Sequence, residues 1–217
     1  MSTNNTIAQQ NDPHELLEVF DAAGRATGVA KSRAAIHIDG DWHQAFHCWI
    51  LRPGPRVVLQ RRSSVKDTFP DCWDAAAAGH WRFGETAAAA AREIAEELGL
   101  DVQFADLQYV GRERLARRFT SGLIDREYHQ VYVLHWAAPL VSYRPDPTEV
   151  NAVGAFASGD LLRLLGGKIS SISTVEAIQV ADDGAVSTAV FEVQRQEVVP
   201  YSVARVRRIL GSAKLIR

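Results

Sequence analysis

Three glutamates, Glu93, Glu96 and Glu97, crowd the segment GHWRFGETAAAAAREIAEELGL, residues 79 to 100. At roughly 100° per helical residue, Glu96 falls about 60° to one side of Glu93 and Glu97 about 40° to the other, so one stripe carries all three carboxylates. Like charges at this spacing repel, and they sit near the helix C-terminus, where the macrodipole already disfavours anions. Only Arg92 lies close in sequence to compensate. Two readings are open. A Glu-rich stripe is commonly a solvated acidic face. The other is a divalent cation site: Mg2+ takes oxygen ligands and often bridges a few protein carboxylates to substrate phosphates.

The element that presents the stripe is the clearest in the chain. Ala87 to Ala91 favour a helix, Gly99 stops it, and Ile94 and Leu98 form a second stripe that faces the core. Upstream, ELLEVFD and GVAKSRA flank a turn at Gly24 and predict a hairpin, and the apolar runs 45 to 51 and 57 to 60 predict a strand pair around Pro53-Gly54-Pro55. Downstream, strands are expected at about 107 to 114 and 127 to 136, then a Pro-rich connection and a helix in SGDLLRLL with Ser158 as its N-cap. The Arg-rich stretch from 111 to 126 reads as an exposed basic loop, or as a flap that contacts an anion. Residues 1–14 read as a disordered tail, 15–168 as the main domain, and 169–217 as a C-terminal extension, hairpin plus helix, packed on it. In that last helix Val206, Ile209 and Leu210 are expected to face inward and ARVRR, 204 to 208, to be solvated. Mixed strands with few helices imply an α/β or α+β fold.

Gly79, Glu85, Arg92-Glu93, Glu96-Glu97 and Gly99, with Ile94 and Leu100 at the aliphatic positions, resemble the Nudix box, G-x5-E-x7-R-E-U-x-E-E-x-G-U. One departure stands out: six residues, not seven, separate Glu85 from Arg92. The resemblance implies a mixed β-sheet sandwiched between helices and a Mg2+- (or Mn2+-) dependent hydrolase. Such an enzyme acts on acid anhydrides in phosphorus-containing compounds, here the diphosphate linkage of a nucleoside diphosphate derivative or similar organic diphosphate. Glu93, Glu97 and Glu96, with Gly79 and Glu85, are the implied metal-site residues. Arg92 orients the acids, and Glu96 is a ligand or the base that holds the attacking water. Arg61, Arg62 and Lys66 are candidates for the substrate phosphates; strand alternation allows at most one of the two arginines to face them.

Residues from about 15 to 165 further resemble the Nudix subgroup that includes the isopentenyl-diphosphate isomerases. There His37, His43 and His80 resemble the isomerase metal histidines, Asp125 and Glu127 its acidic positions, and Glu127 its proton-handling glutamate. The isomerase's catalytic cysteine is replaced by Ala78, and neither Cys48 nor Cys72 matches it. The preferred expectation is therefore a hydrolase, with an isomerase-like enzyme and a non-catalytic ligand-binding module as alternatives. Retention of all three box glutamates argues against the module.

The 217 residues are 47% hydrophobic and 23% charged, the balance of a globular domain with a sizeable core. Lys plus Arg (24) and Asp plus Glu (26) nearly cancel, so no net field favours nucleic acid or an anionic membrane, and an anionic ligand must be held by local charge. Two cysteines and the lack of an apolar span or signal peptide point to a cytoplasmic protein with a small-molecule partner. Paired subunits, common in the family, are the expected assembly. Trp73 and Trp81 read as packing residues rather than base-stacking ones.

Overall fold

The computed structural model describes residues 12–212. Of the expected N-terminal tail, only Asp12, Pro13 and His14 fall within them; the rest lies outside the described residues. Pro13 is tied down, its carbonyl accepting from Ala34 N at 3.1 Å.

The expected hairpin is β1 (Leu16–Phe20) with β2 (Ala26–Ser32), antiparallel, turning at Gly24 with φ 78°. The strand ends earlier than GVAKSRA suggested. Ser32 caps a helix, α1 (Arg33–Asp39), by accepting from Ala35 N, and that puts His37 on a helix packed beside the sheet. Next come β3 (Trp42–Arg52) and β4 (Arg56–Arg62), around the Pro-Gly-Pro turn, then the short β5 (Trp73–Ala75) and β6 (Ala77–His80). The carboxylate helix, α2 (Ala89–Leu98), starts two residues after the expected Ala87 and ends at Gly99 in the left-handed region, φ 65°.

Residues 111 to 126 are mostly not a loop. β7 (Leu107–Arg118) and β8 (Ile124–His135) form one long antiparallel hairpin, and the alternating burial along RERLARR shows why: every second side chain leans inward. β8 runs parallel to β3 from Trp42 opposite Arg126 to Leu51 opposite His135. On its other edge β3 pairs first with β6, over Ala45 to Cys48, and then with β4, over Ile50 to Arg52. The cavity described below opens beside this change of partner.

β9 (Val150–Ala157) leads into α3 (Ser158–Leu165). Ser158 is the first helical residue and not the N-cap. The cap is Ala157, with no side-chain bond, and the Ser158 N–H is taken by the Pro55 carbonyl at 2.7 Å. Beyond lie β10 (Ser171–Ser173), β11 (Glu176–Val180), β12 (Val186–Ala189), β13 (Glu192–Gln194) and α4 (Val203–Ser212). β11 and β12 form the expected hairpin around Asp-Asp-Gly and extend the main sheet through β9, in the order β12-β11-β9-β4-β3-β1-β2.

Side-chain alternation on the sheet yields two cores. Trp49, Trp73 and Phe156 pack against Leu161, Leu164 and Leu165 of α3 and Val206 and Ile209 of α4. On the other face Phe46, Ile50 and Tyr143 pack against Ile94 and Leu98 of α2. The fold is mixed α+β, a sheet between helices. Trp73 is a core residue, as expected, and Trp81 is partly buried against the second core. Both cysteines are free thiols, and no described helix is long and apolar enough to cross a membrane.

Candidate metal and diphosphate site

Where β3 changes partner, a cavity of about 80 Å3 is lined by side chains from α1, β3, β4, β6, α2, β8 and the residues before α4. β6 links its two ends. Gly79 lies so close to α2 that a Cβ on it would sit 2.5 Å from Glu93 Oε2, so any side chain there would force the Glu93 carboxylate to move. The next residue, His80, reaches the opposite end and lies 3.2 Å from Glu127 through Nε2.

At the α2 end, Glu93 and Glu97 are buried and line the cavity, whereas Glu96 is partly exposed and does not line it. The neighbouring charges explain how the stripe survives its own repulsion. Arg92 donates to Glu93 at 2.8 Å, to Glu96 at 2.7 Å, and through two nitrogens to Glu85, at 3.0 Å each. The shortened box is therefore absorbed in the loop before Ala89, and Glu85 still meets Arg92. Glu97 accepts from Gln60 Nε2 at 3.1 Å and from Ala78 N at 3.0 Å. Burial raises the Glu97 carboxyl to about 7, against the opposing pull of Lys66. Burial likewise lowers the Lys66 ammonium to about 8, and Lys66 is ion-paired with Glu149. Arg62 lines the cavity and is held by Asp74 at 3.1 Å, while Arg61 turns away to Asp71, so alternation puts only one of the pair on the cavity.

At the other end, period-two spacing on two parallel strands brings His43, Ala45 and His47 beside Asp125, Glu127 and His129. His37 comes in from α1. His43 Nε2 lies 3.8 Å from both Asp125 Oδ1 and Glu127 Oε1, and His37 Nε2 lies 3.9 Å from Asp125 Oδ1. Among the described residues, two overlapping sets bring metal-ligating atoms within 4.8 Å of one another: His37, His43 and His80, and His43, Asp125 and Glu127. These separations are too long for hydrogen bonds. They match the roughly 3–4 Å between ligands that each stand about 2.1 Å from one ion. His43 Nε2 and Asp125 Oδ1 are also buried with no hydrogen-bond partner.

Burial lowers His37 to about 4 and His43 to about 3, in both cases aided by His80, so each imidazole is neutral and has a lone pair to offer at neutral pH. Burial and the neighbouring Glu127 charge push Asp125 well up. Burial acts to raise Glu127 too, but His129 and His80 outweigh it and hold that carboxyl well below the usual range.

His47, His129, Gln60, Asp74, Tyr201 and Arg205 were not singled out from the sequence. For His47 and His129 a signal existed, their period-two spacing from His43 and Glu127. For Tyr201 and Arg205 there was none.

A family model described as the NUDIX domain matches residues 41–172. The chain is 35% identical over 162 residues to an uncharacterized Nudix hydrolase of Clostridium acetobutylicum, covering 73% of this chain and 77% of that protein. It is 36% identical over 140 residues to an isopentenyl-diphosphate Delta-isomerase of Cutibacterium acnes, covering 62% and 70%. A crystal structure of a Deinococcus radiodurans protein has a similar fold, with TM-score 0.53 at 21% identity over 70% of this chain and 90% of that one. The chain belongs to the Nudix hydrolase family, which acts in general on diphosphate-containing substrates.

Proposed function

We propose that this protein is a divalent-metal-dependent hydrolase of the diphosphate linkage in a nucleoside diphosphate derivative or similar organic diphosphate. The observation that carries the reading is the convergence of His37, His43, His80, Asp125 and Glu127 on one end of a cavity whose other end holds Glu93 and Glu97. The mixed imidazole and carboxylate set can hold a first-row divalent ion such as Mn2+ through its carboxylates and neutral imidazoles, and the all-oxygen pair Glu93 and Glu97 suits Mg2+ or Mn2+. Such ions supply charge neutralisation of the diphosphate and activation of water.

The protein's own groups do the rest. Arg92 holds Glu85, Glu93 and Glu96 in fixed directions, and Glu96 is the candidate ligand or base that holds the attacking water. Ionised Glu127 accepts hydrogen bonds and stays charged. Lys66, Arg62 and Arg117 are cations on the cavity lining that are candidates to meet phosphate oxygens, among a larger number of acids whose charge a bound divalent ion would offset. At about 80 Å3 the cavity admits the reacting phosphates, and the organic remainder lies at its mouth.

An isomerase reading is favoured by the histidine cluster and by relatives of that name. Against it, position 78 is an alanine whose N–H serves Glu97, and no cysteine lines the cavity. Cys48 faces the opposite core, where burial pushes its thiol far up. The test is a screen of nucleoside diphosphate derivatives, dinucleotides, coenzyme diphosphates and isopentenyl diphosphate with Mg2+ and Mn2+, read by phosphate release after phosphatase coupling and by product chromatography. Cleavage of a diphosphate with a divalent ion is expected. Interconversion of the two five-carbon diphosphates without phosphate release would overturn the hydrolase reading.

A further inference from the structure

Arg205 does not belong to a solvated helix face. Although α4 lies outside the matched segment 41–172, its Arg205 side chain is only 10% exposed, stacks 4.7 Å over the Tyr201 ring and approaches His129 Nδ1 at 3.1 Å. Its Nε lies 2.6 Å from Glu113, off the line of an N–H bond, and Arg208 pairs with the same carboxylate. The His129 ring stacks on His47 at 3.9 Å, and its Nε2 lies 2.5 Å from Glu127 Oε2.

We propose that Arg205 is a positioning residue for Glu127, acting by fixing the tautomer of His129. A guanidinium has only N–H donors, so the ring nitrogen facing it must accept. A neutral imidazole with an accepting Nδ1 carries its proton on Nε2, and that proton is donated to Glu127 Oε2. Glu127 Oε1 is then the oxygen turned to His80 and His43, at 3.2 and 3.8 Å. In the opposite tautomer a bare Nε2 lone pair would face the carboxylate and drive it away. The metal arm of this proposal rests on the reading of the histidine cluster as an ion site; the tautomer does not.

The test uses the full chain, metal-free, at one fixed pH near neutrality, with 15N-labelled histidine. Long-range 1H–15N spectra are expected to show His129 protonated on Nε2 alone. Arg205→Met should mix the tautomers and weaken Mn2+ binding, followed by calorimetry, on the order of 10- to 100-fold. Arg205→Lys keeps a donor and should restore most of both. In a His129→Gln background, Arg205→Met should have no further effect on Mn2+. If Arg205→Met fails to fold, Arg205→Met with Glu113→Gln removes both buried partners and takes its place. A wild-type His129 protonated on Nδ1 overturns the proposal, as does a mixed tautomer with unchanged Mn2+ affinity. Failure of the wild type to bind Mn2+ while His129 stays on Nε2 overturns the ion-site reading and with it the metal arm alone.

Discussion

At the α2 end of the cavity the acids have protein partners: Glu93 and Glu96 share Arg92, and Glu97 has Gln60 and the Ala78 amide. At the β3–β8 end Glu127 is met by His80 and His129, but His43 Nε2 and Asp125 Oδ1 are buried without a hydrogen-bond partner. The difference separates two solutions to the same cost. Repulsion among the box glutamates is offset inside the protein by a bidentate arginine and by hydrogen bonds. The histidine end leaves two atoms, His43 Nε2 and Asp125 Oδ1, unmet, an arrangement that costs about 1–3 kcal/mol per buried group unless something else binds there.

The largest effect that could break this contrast is on activity. If both ends serve the reaction, Glu127→Gln, Glu93→Gln and Glu97→Gln should each lower divalent-dependent phosphate release by roughly 10^2- to 10^4-fold with the circular dichroism spectrum retained. Full activity in Glu93→Gln and Glu97→Gln would confine the chemistry to the histidine end.

Stability comes next. Lys66 and Glu149 are both nearly buried, so Lys66→Met, which removes one partner of a buried pair, should destabilise the fold by about 3 kcal/mol, measured by urea denaturation. A loss below about 1 kcal/mol would mean that the α2 end does not depend on this pair.

A smaller, signed effect comes from pH. Burial holds the Glu97 carboxyl at about 7, above its ordinary 4.5, so between those values the native state keeps a proton that the unfolded chain releases. Native stability from this group is therefore lost as pH rises through the window. In metal-free protein, Glu97→Gln should gain melting temperature relative to wild type between pH 5 and pH 8. The reverse trend would show that Glu97 is satisfied when ionised.

The smallest effect probes the face opposite the cavity. Cys48 is buried with its thiol pushed up, so a maleimide at neutral pH should leave it unmodified until the protein unfolds. Labelling of Cys48 in the native protein, located by mass spectrometry, would mean that β3 opens and that the wall shared by both ends is not rigid.

The parts of this molecule written in local sequence were legible. The alanine-led α2, the Gly24 and Pro-Gly-Pro turns and the Asp-Asp-Gly hairpin depend on residues near one another in the chain, and the structure has each of them. The boundaries that moved did so for tertiary reasons. Ser32 capped a helix where a strand was expected, Ser158 lost its cap role to a Pro55 contact, and residues 111 to 118 became strand because β8 offers them a partner.

By itself the sequence determined that three glutamates share one helical stripe with an arginine at its head, because helical periodicity is set by the backbone alone. It could not determine which of them are buried, that Gly79 makes room for Glu93, or that Tyr201 lines the cavity and Arg205 meets His129. Those facts depend on strand register and on packing between separate elements, 76 residues apart in the case of Arg205 and His129, which no local pattern encodes.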